Sequence, residues 1–206
     1  MSKEFSSFGD QATVTMQSKA SGSELVGMEG FYHVVCRDAD GNIKWEEKFP
    51  NLVNAIGKQL MLDTLLSTIS PSTYTTVGPF LGLISGSGPT FSASDTFASH
   101  GGWTEFTAYN ISGNSNIRGT AVFAAATSTG STPTNVTSKA AAAITYTIDP
   151  PGGTVGGCFL LTGTGATNLK SNTSIGVLYS AGAFNTPKVT TAGDTVSVTY
   201  STTATS

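Results

Sequence analysis

From residue 77 onward the chain repeats one pattern: a short run of alternating apolar and hydroxyl side chains, then a cluster of Gly, Pro, Asn or Ser. Runs of period two that are rich in Val, Ile, Thr and aromatic residues are typical of β-strands, and the clusters are typical of the turns between them. The predicted strands cover residues 78–84, 103–109, 119–127, 139–148, 154–162, 175–184 and 194–201. This spacing predicts an all-β domain, a sandwich or jelly roll of about eight strands.

A hairpin is predicted before these strands. The runs 31–37 and 43–49 both alternate with period two, and they flank the turn sequence Asp-Ala-Asp-Gly-Asn at 38–42. Gly41 and Asn42 tolerate a positive φ angle, which tight hairpin turns require. We therefore expect two antiparallel strands joined at this turn.

One short helix is predicted near residues 52–69, after Pro50. Its apolar residues recur at helical spacing, namely Leu52, Val53, Ile56, Leu60, Leu65, Leu66 and Ile69. Asn51 or Asn54 can serve as the N-cap. Gly57 lies inside the helix and costs about 1 kcal/mol relative to Ala, so the helix depends on packing.

The first 28 residues differ from the rest, because they are polar and show no sustained period. We interpret residues 1–28 as an extended N-terminal arm and residues 29–206 as the β-sandwich domain with its helix. Fully stretched, such an arm reaches roughly 90 Å. Phe5, Phe8, Val14 and Met16 are its expected contacts with a neighbouring subunit. The alternative is a terminal segment that is not tied down.

Charge is scarce. Charged residues make up 11% of the chain, against about 25% in an ordinary soluble domain. A surface with few ions costs little to bury against a partner, so the composition favours an assembly protein. A secreted or thermally robust β protein is the alternative. The net charge of −3 and the lack of any run of like charges argue against a nucleic-acid partner.

The N-terminus has no apolar h-region, and no stretch approaches the roughly 18 apolar residues of a membrane span. The sequence therefore predicts neither a signal peptide nor a membrane partner.

Residues suited to catalysis or metal binding are few. His33 alternates with Phe31 in a predicted strand and is expected to be structural, whereas His100 lies in a loop and can contact Asp95. His33 and Cys36 are three apart in a strand, so their side chains point to opposite faces and do not predict a metal site.

The other candidates are equally isolated. Cys36 and Cys158 lie in apolar runs and are expected to be buried free thiols, and Ser85 is one position too late for a nucleophile elbow. Acidic residues after position 60 are dispersed: Asp63, Asp95, Glu105, Asp149 and Asp194. We therefore expect no enzyme and no cofactor, although a carboxylate pair that meets in space stays open as an alternative.

Three segments carry a resemblance to a family. They are residues 36–45 with 51–54, residues 95–109 (Asp-Thr-Phe-Ala-Ser-His-Gly-Gly-Trp-Thr-Glu-Phe-Thr-Ala-Tyr), and residues 176–184 with 193–200. Together they resemble virion structural proteins of tailed bacteriophages, and in particular capsid decoration (cement) proteins. The resemblance spans about residues 31–200 in order, but it does not include the arm or residues 113–139.

The resemblance implies a protein made in the bacterial host cytoplasm that attaches to the outer capsid surface. It implies the major capsid protein and a homotrimer of the chain itself as partners, and a role in holding the lattice against internal DNA pressure. Two alternatives stay open. The chain can be a tail, neck or fibre component, or it can be a carbohydrate-binding or carbohydrate-degrading adsorption module. A sugar binder needs solvent-facing aromatic side chains, for which Trp103, Tyr109 and Tyr179 are the candidates.

Overall fold

The computed structural model describes residues 27–66, 78–86, 88–123, 127–129, 132–136 and 143–205. These residues form two antiparallel sheets that pack face to face, with one short helix, so the predicted all-β sandwich is confirmed. The elements in chain order are β1 Gly27–Arg37, β2 Ile43–Pro50, β3 Leu52–Val53, α1 Ala55–Leu66, β4 Phe80–Ser85, β5 Thr104–Phe106, β6 Tyr109–Asn110, β7 Gly119–Thr120, β8 Thr127–Thr129, β9 Thr132–Val136, β10 Ile144–Ile148, β11 Gly153–Thr162, β12 Val177–Thr190 and β13 Thr195–Thr205.

The larger sheet has seven strands in the order β2-β1-β13-β10-β6, with β9 beside β13 and β8 beside β9. Its centre is β13, which pairs with β1 along its full length from Gly27↔Thr205 to Arg37↔Thr195. On its other edge, β13 pairs first with β10 and then with β9. The C-terminal strand therefore joins the two halves of this sheet.

The smaller sheet has six strands in the order β3-β12-β11-β4-β5, with β7 beside β4. Its central strands β11 and β4 are buried on both faces, which explains why their sequences are almost continuously apolar. Gly82 marks how closely these strands are covered, because a Cβ there would lie 2.4 Å from the Phe159 ring.

The main core lies between the sheets. Its aromatic residues include Tyr32, Phe49, Tyr146 and Tyr200, which are all buried. Two of their hydroxyl groups bond across the sandwich. Tyr32 Oη lies 2.8 Å from Ser180 Oγ, and Tyr146 Oη donates to the Leu81 carbonyl at 2.7 Å. Buried tyrosines with satisfied hydroxyl groups fix the two sheets relative to each other.

A second core lies on the outer face of the smaller sheet. Its members are Phe80, Ile84, Phe97, Trp103, Phe159, Leu161, Ala166, Leu178 and Ala181. Residues 88–103 and 163–176 supply the covering side chains, and α1 packs on β12. Gly57 permits this helix packing, because a Cβ there would lie 2.7 Å from the Tyr179 carbonyl oxygen.

The predicted hairpin is present as β1 and β2. Its turn has Gly41 at φ 87°, and both oxygens of Asp38 accept hydrogen bonds from Asn42. The helix is shorter than predicted, since α1 begins at Ala55. Asn54 precedes it and its carbonyl accepts the first helical bond from Lys58, but its side-chain amide donates to loop carbonyls at 92 and 95.

The strand predicted over 103–109 is wrong as a single element. Residues 104–106 belong to the smaller sheet and Tyr109–Asn110 to the larger one, so the chain crosses between sheets at Thr107 and Ala108. A tight turn causes the break, in which the Tyr109 N–H donates to the Thr107 carbonyl at 2.8 Å. Turns of this size are common at strand ends.

The number and the ends of other strands also differ from the prediction. The structure has thirteen strands in its described part, against the eight or so expected from the runs, and several span two or three residues. β12 and β13 continue to Thr190 and Thr205, past the predicted ends.

Most of the predicted arm, with Phe5, Phe8, Val14 and Met16, lies outside the described residues, and β1 already includes residues 27 and 28. No helix in the described ranges is long and apolar enough to cross a membrane.

Candidate attachment surface

The outer surface of the seven-stranded sheet carries a continuous set of hydroxyl side chains on its central strands. We call these side chains the hydroxyl face: Thr145, Thr147, Thr195, Ser197, Thr199, Ser201 and Thr203. They alternate with buried residues, as the period of a strand requires, and all seven stay partly or fully exposed. Thr145 and Ser197 are cross-strand partners whose hydroxyl oxygens lie 3.0 Å apart.

Beside the hydroxyl face, β1 and β2 contribute charged side chains of both signs, and several of these contact each other or a neighbouring ring. His33 Nε2 lies 2.7 Å from Glu46 Oε1, and Lys48 Nζ lies 4.9 Å from the centroid of the Phe31 ring. Both partners of the His33–Glu46 pair are nearly half exposed. Such exposed pairs contribute little to stability, and they leave the surface close to neutral.

The two sheets therefore differ in what lies on their outer faces. The six-stranded sheet is covered by the second core, whereas the hydroxyl face has no comparable cover among the described residues. Hydroxyl groups donate and accept hydrogen bonds, and they cost far less to desolvate than ions do. The hydroxyl face is therefore chemically suited to a broad protein contact.

On the covered side, a buried ion pair fixes the loop of residues 163–176. Arg118 has a fully buried side chain, and its Nε and Nη2 donate to the two carboxylate oxygens of Glu105 at 2.8 and 2.6 Å. Its remaining donors bond to the carbonyls of Thr167, Leu169 and Asn172. Burial raises the pKa of the Glu105 carboxyl, although Arg118 partly offsets this rise. All five guanidinium donors are thus used within one site.

Lys170 fixes the same loop from its other side. Its Nζ donates to the Thr107 carbonyl at 2.9 Å and to the Tyr109 carbonyl at 2.5 Å, and it lies 3.5 Å from the centroid of the Tyr109 ring. Burial lowers the pKa of Lys170 to about 8, although Glu105 and Asp149 counteract the shift. Lys170 therefore holds together the crossing between the two sheets and the 163–176 loop.

Among the described residues, neither histidine forms a side-chain hydrogen bond with a serine, threonine or cysteine. His33 lies on the outer surface of the larger sheet, on the opposite face of β1 from Cys36, as predicted. His100 stacks on Trp103 with 3.8 Å between ring centroids, and its Nδ1 lies 3.1 Å from the Trp103 carbonyl oxygen. The contact with Asp95 considered from the sequence is replaced by this one, since Asp95 Oδ2 accepts from the Ser92 N–H.

His100 and Glu105 do line one small cavity. It has a volume of about 210 Å³ and its other walls are Phe97, Trp103, Thr104 and Thr173. A general base must be free to accept a proton, but both Glu105 oxygens are bonded to Arg118. The cavity therefore lacks a free carboxylate beside His100.

The cysteines and carboxylates serve the fold. Cys36 and Cys158 are buried free thiols, and burial raises the pKa of both, that of Cys36 to about 11. Asp149 accepts from Asn110 and Ser115. Burial raises the pKa of Asp194, but Lys44 at 2.6 Å and the Thr191 N–H bring it below its usual value.

No cluster of three metal-ligating side chains occurs in the ranges that the structure describes. The aromatic candidates for sugar stacking are not arranged on one open surface either. Trp103 and Tyr109 are buried, and Tyr179 is partly buried where it contacts α1 through Met61.

The fold and these surfaces together define a β-sandwich with one covered sheet and one open hydroxyl-bearing sheet. Comparison with protein-family models, with curated proteins and with solved structures finds no match for this chain.

Proposed function

We propose that this chain is a non-enzymatic assembly protein, a decoration subunit that binds the outer capsid surface of a tailed bacteriophage and stabilises the lattice. The motifs in residues 36–45 with 51–54, in residues 95–109, and in residues 176–184 with 193–200 resemble those of phage virion proteins and suggest the virion. The observation that carries the proposal is the open hydroxyl face, set against the covered outer face of the other sheet.

Attachment through this face is energetically plausible. A protein interface typically forms about one hydrogen bond per 100–200 Å², and a row of Thr and Ser hydroxyl groups can supply such bonds in either direction. The hydroxyl face contains no ion that must be desolvated. In the proposed homotrimer three linked copies of this face would bind together, so that many weak contacts add up through valency.

The test is co-sedimentation of the full chain with phage capsid shells that were assembled without it. Ser197→Arg places a large cation in the middle of the hydroxyl face. Ser174→Arg is the matched control, because Ser174 is exposed in the 163–176 loop on the covered side. We expect the unchanged chain and Ser174→Arg to sediment with the shells, and Ser197→Arg to remain in the supernatant.

Two results would overturn the proposal. In the first, the unchanged chain stays in the supernatant with shells present. In the second, it sediments with isolated phage tails and not with shells, which would make it a tail or neck component.

The proposed oligomer is a homotrimer that uses residues 1–26 as an exchanged arm. All the described core residues lie between residues 32 and 200, so a chain without residues 1–26 keeps the whole described core. The solution mass of both forms by light scattering tests the arm. A trimer that becomes a monomer on truncation supports the arm, and a monomer in both cases contradicts it.

A further inference from the structure

Within the part of the chain that the structure describes, one edge of strand β10 is only partly paired. One edge pairs with β13 over residues 144–147. The other edge pairs with β6 only at Thr147 and Ile148, because the chain turns away at Ile111 and bridges to Asn114. In the ranges described by the structure, no strand pairs with this second edge at residues 144–146. Unpaired backbone groups on a strand edge are a ready template for another strand.

An uncharged groove of about 530 Å³ lies along this edge. Its lining is Ile111, Ser112, Gly119, Thr120, Val122, Ala143, Ile144 and Thr145. Val122 is 67% exposed, so its side chain is accessible from the groove. Thr145 belongs both to the groove and to the hydroxyl face, so the groove adjoins the proposed attachment surface.

The opposite edge of the same sheet is built differently. Strand β2 carries Lys44, Glu46, Glu47 and Lys48 and ends at Pro50. Charges and proline on an edge strand discourage pairing with another chain. One edge of the sheet is thus protected against pairing, whereas β10 itself, Ile144–Ile148, contains neither a charged residue nor a proline.

The sequence offers an occupant that matches this edge. Residues 12–16, Ala-Thr-Val-Thr-Met, alternate apolar and hydroxyl side chains and carry no charge. Added beside β10, such a strand would direct Ala12, Val14 and Met16 toward the aliphatic side chains of the uncharged groove. Its threonines would then extend the hydroxyl face. Five residues span about 17 Å, which is close to the length of β10.

The direction of β1 favours a second copy as the donor. β1 begins at Gly27 beside Thr205, seven residues, or about 23 Å, along β13 from the Val198 partner of Ile144. Since β1 begins at that end and runs toward the level of the groove, a donor strand in the same copy would have to lead back along the sheet and across β13. Residues 17–26 span about 33 Å at most, which leaves little length for a reversal within one copy.

We propose that residues 12–16 of one copy add as a strand to the β10 edge of a second copy, in the groove beside Val122. This inference rests on the proposed function, because it specifies how the assembling subunits engage each other. Backbone hydrogen bonds between the added strand and β10 would supply the affinity. The alternate side chains, which enter the groove, would fix the register of the pairing.

Cysteine cross-linking in the full chain tests the inference. One chain carries a cysteine at 12, 13, 14, 15 or 16, for example Val14→Cys, and a differently tagged chain carries Val122→Cys. The two are co-expressed, purified and oxidised. The natural cysteines are both buried and do not compete. Val189→Cys is the matched control for the acceptor, since Val189 is 66% exposed and lies outside the groove.

We expect mixed dimers with Val122→Cys mainly from one of positions 12, 14 and 16, at least about fivefold more abundant than from 13 and 15, because a disulfide requires a Cβ separation of about 3.5–4.5 Å and alternate residues of a strand are about 6.8 Å apart. Equal yields with Val189→Cys, or no mixed dimer, would overturn the inference. So would an internal disulfide in monomeric Val14→Cys/Val122→Cys. Co-sedimentation of the reduced variants with shells is measured in parallel. Shell binding without cross-links refutes the strand exchange alone, whereas loss of shell binding by the unchanged chain refutes the proposed function.

Discussion

Replacing Glu105 by glutamine tests the buried ion pair most directly. The carboxylate forms two charge-assisted bonds with Arg118, at 2.8 and 2.6 Å, and the guanidinium side chain is completely buried. Glu105→Gln keeps the shape of the side chain but removes its charge and turns one acceptor into a donor that faces a donor. A buried cation then loses its counter-ion.

The expected loss in the free energy of unfolding is about 3 kcal/mol. Breaking a buried pair by removing one partner typically costs about 3–5 kcal/mol. The lower end applies here, because Arg118 keeps its bonds to the carbonyls of Thr167, Leu169 and Asn172. Glu46→Gln is the control. It removes the same charge from the exposed pair with His33, and its expected cost is below about 1 kcal/mol.

Chemical denaturation of both variants, and of Arg118→Met with and without Glu105→Gln, measures these values. We expect the double variant to be less destabilised than the sum of the single variants by about 2 kcal/mol, since the two residues are in direct contact. A loss below about 1 kcal/mol for Glu105→Gln, or equal losses for Glu105→Gln and Glu46→Gln, would refute the argument that this pair fixes the loop.

Three further predictions concern the fold. In a free helix, Gly57→Ala would be stabilising by about 1 kcal/mol. Here we expect it to lower the free energy of unfolding by about 1–3 kcal/mol, because its Cβ would lie 2.7 Å from the Tyr179 carbonyl oxygen. Thermal unfolding measures the change, with Lys58→Ala at an exposed helix position as the control, and a higher stability of Gly57→Ala would contradict the prediction. The pKa of Lys170 is lowered in the folded chain, so near pH 8 and above the unfolded chain binds more protons at this residue. The free energy of unfolding of the unchanged chain should therefore rise from about pH 7.5 to 9 relative to that of Lys170→Met. A constant difference in the free energy of unfolding between the two proteins across that range would contradict the prediction. A thiol reagent at pH 8 should label neither cysteine of the folded chain and both after denaturation, because burial raises their pKa; rapid labelling of the folded chain would show an open core.

Much of the fold is visible in the sequence because its signals are local. The hairpin at Asp38–Asn42 follows from its turn residues, and the central strands β4 and β11 follow from their uninterrupted apolar runs. The division of residues 103–109 between two sheets was missed. No Gly, Pro or Asn marks the crossing at residues 107 and 108, and the contacts that hold it come from Lys170, more than sixty residues away.

The ion pair was also missed, for a similar reason. Glu105 stood out only as one dispersed acidic residue, and no pattern links it to Arg118 thirteen positions later. The available signal was Arg118 itself, a single charged residue in an otherwise uncharged segment. If such an arginine is buried, it needs a carboxylate partner.

The hydroxyl face is only partly predictable from the sequence. The abundance of Thr and the period of two predict that hydroxyl groups line one side of each strand. The sequence does not state which sheet is covered, because the cover comes from residues 88–103 and 163–176, which carry no strand pattern. That difference became visible only with the sheet order and the burial of both outer faces.

Heating DNA-filled phage particles that lack the chain, before and after the chain is added, tests whether it holds a capsid lattice together. A fluorescent DNA dye reports the temperature at which the genome is released. We expect the bound chain to raise this temperature and Ser197→Arg to leave it unchanged. An unchanged release temperature with the chain bound to the particles would contradict it.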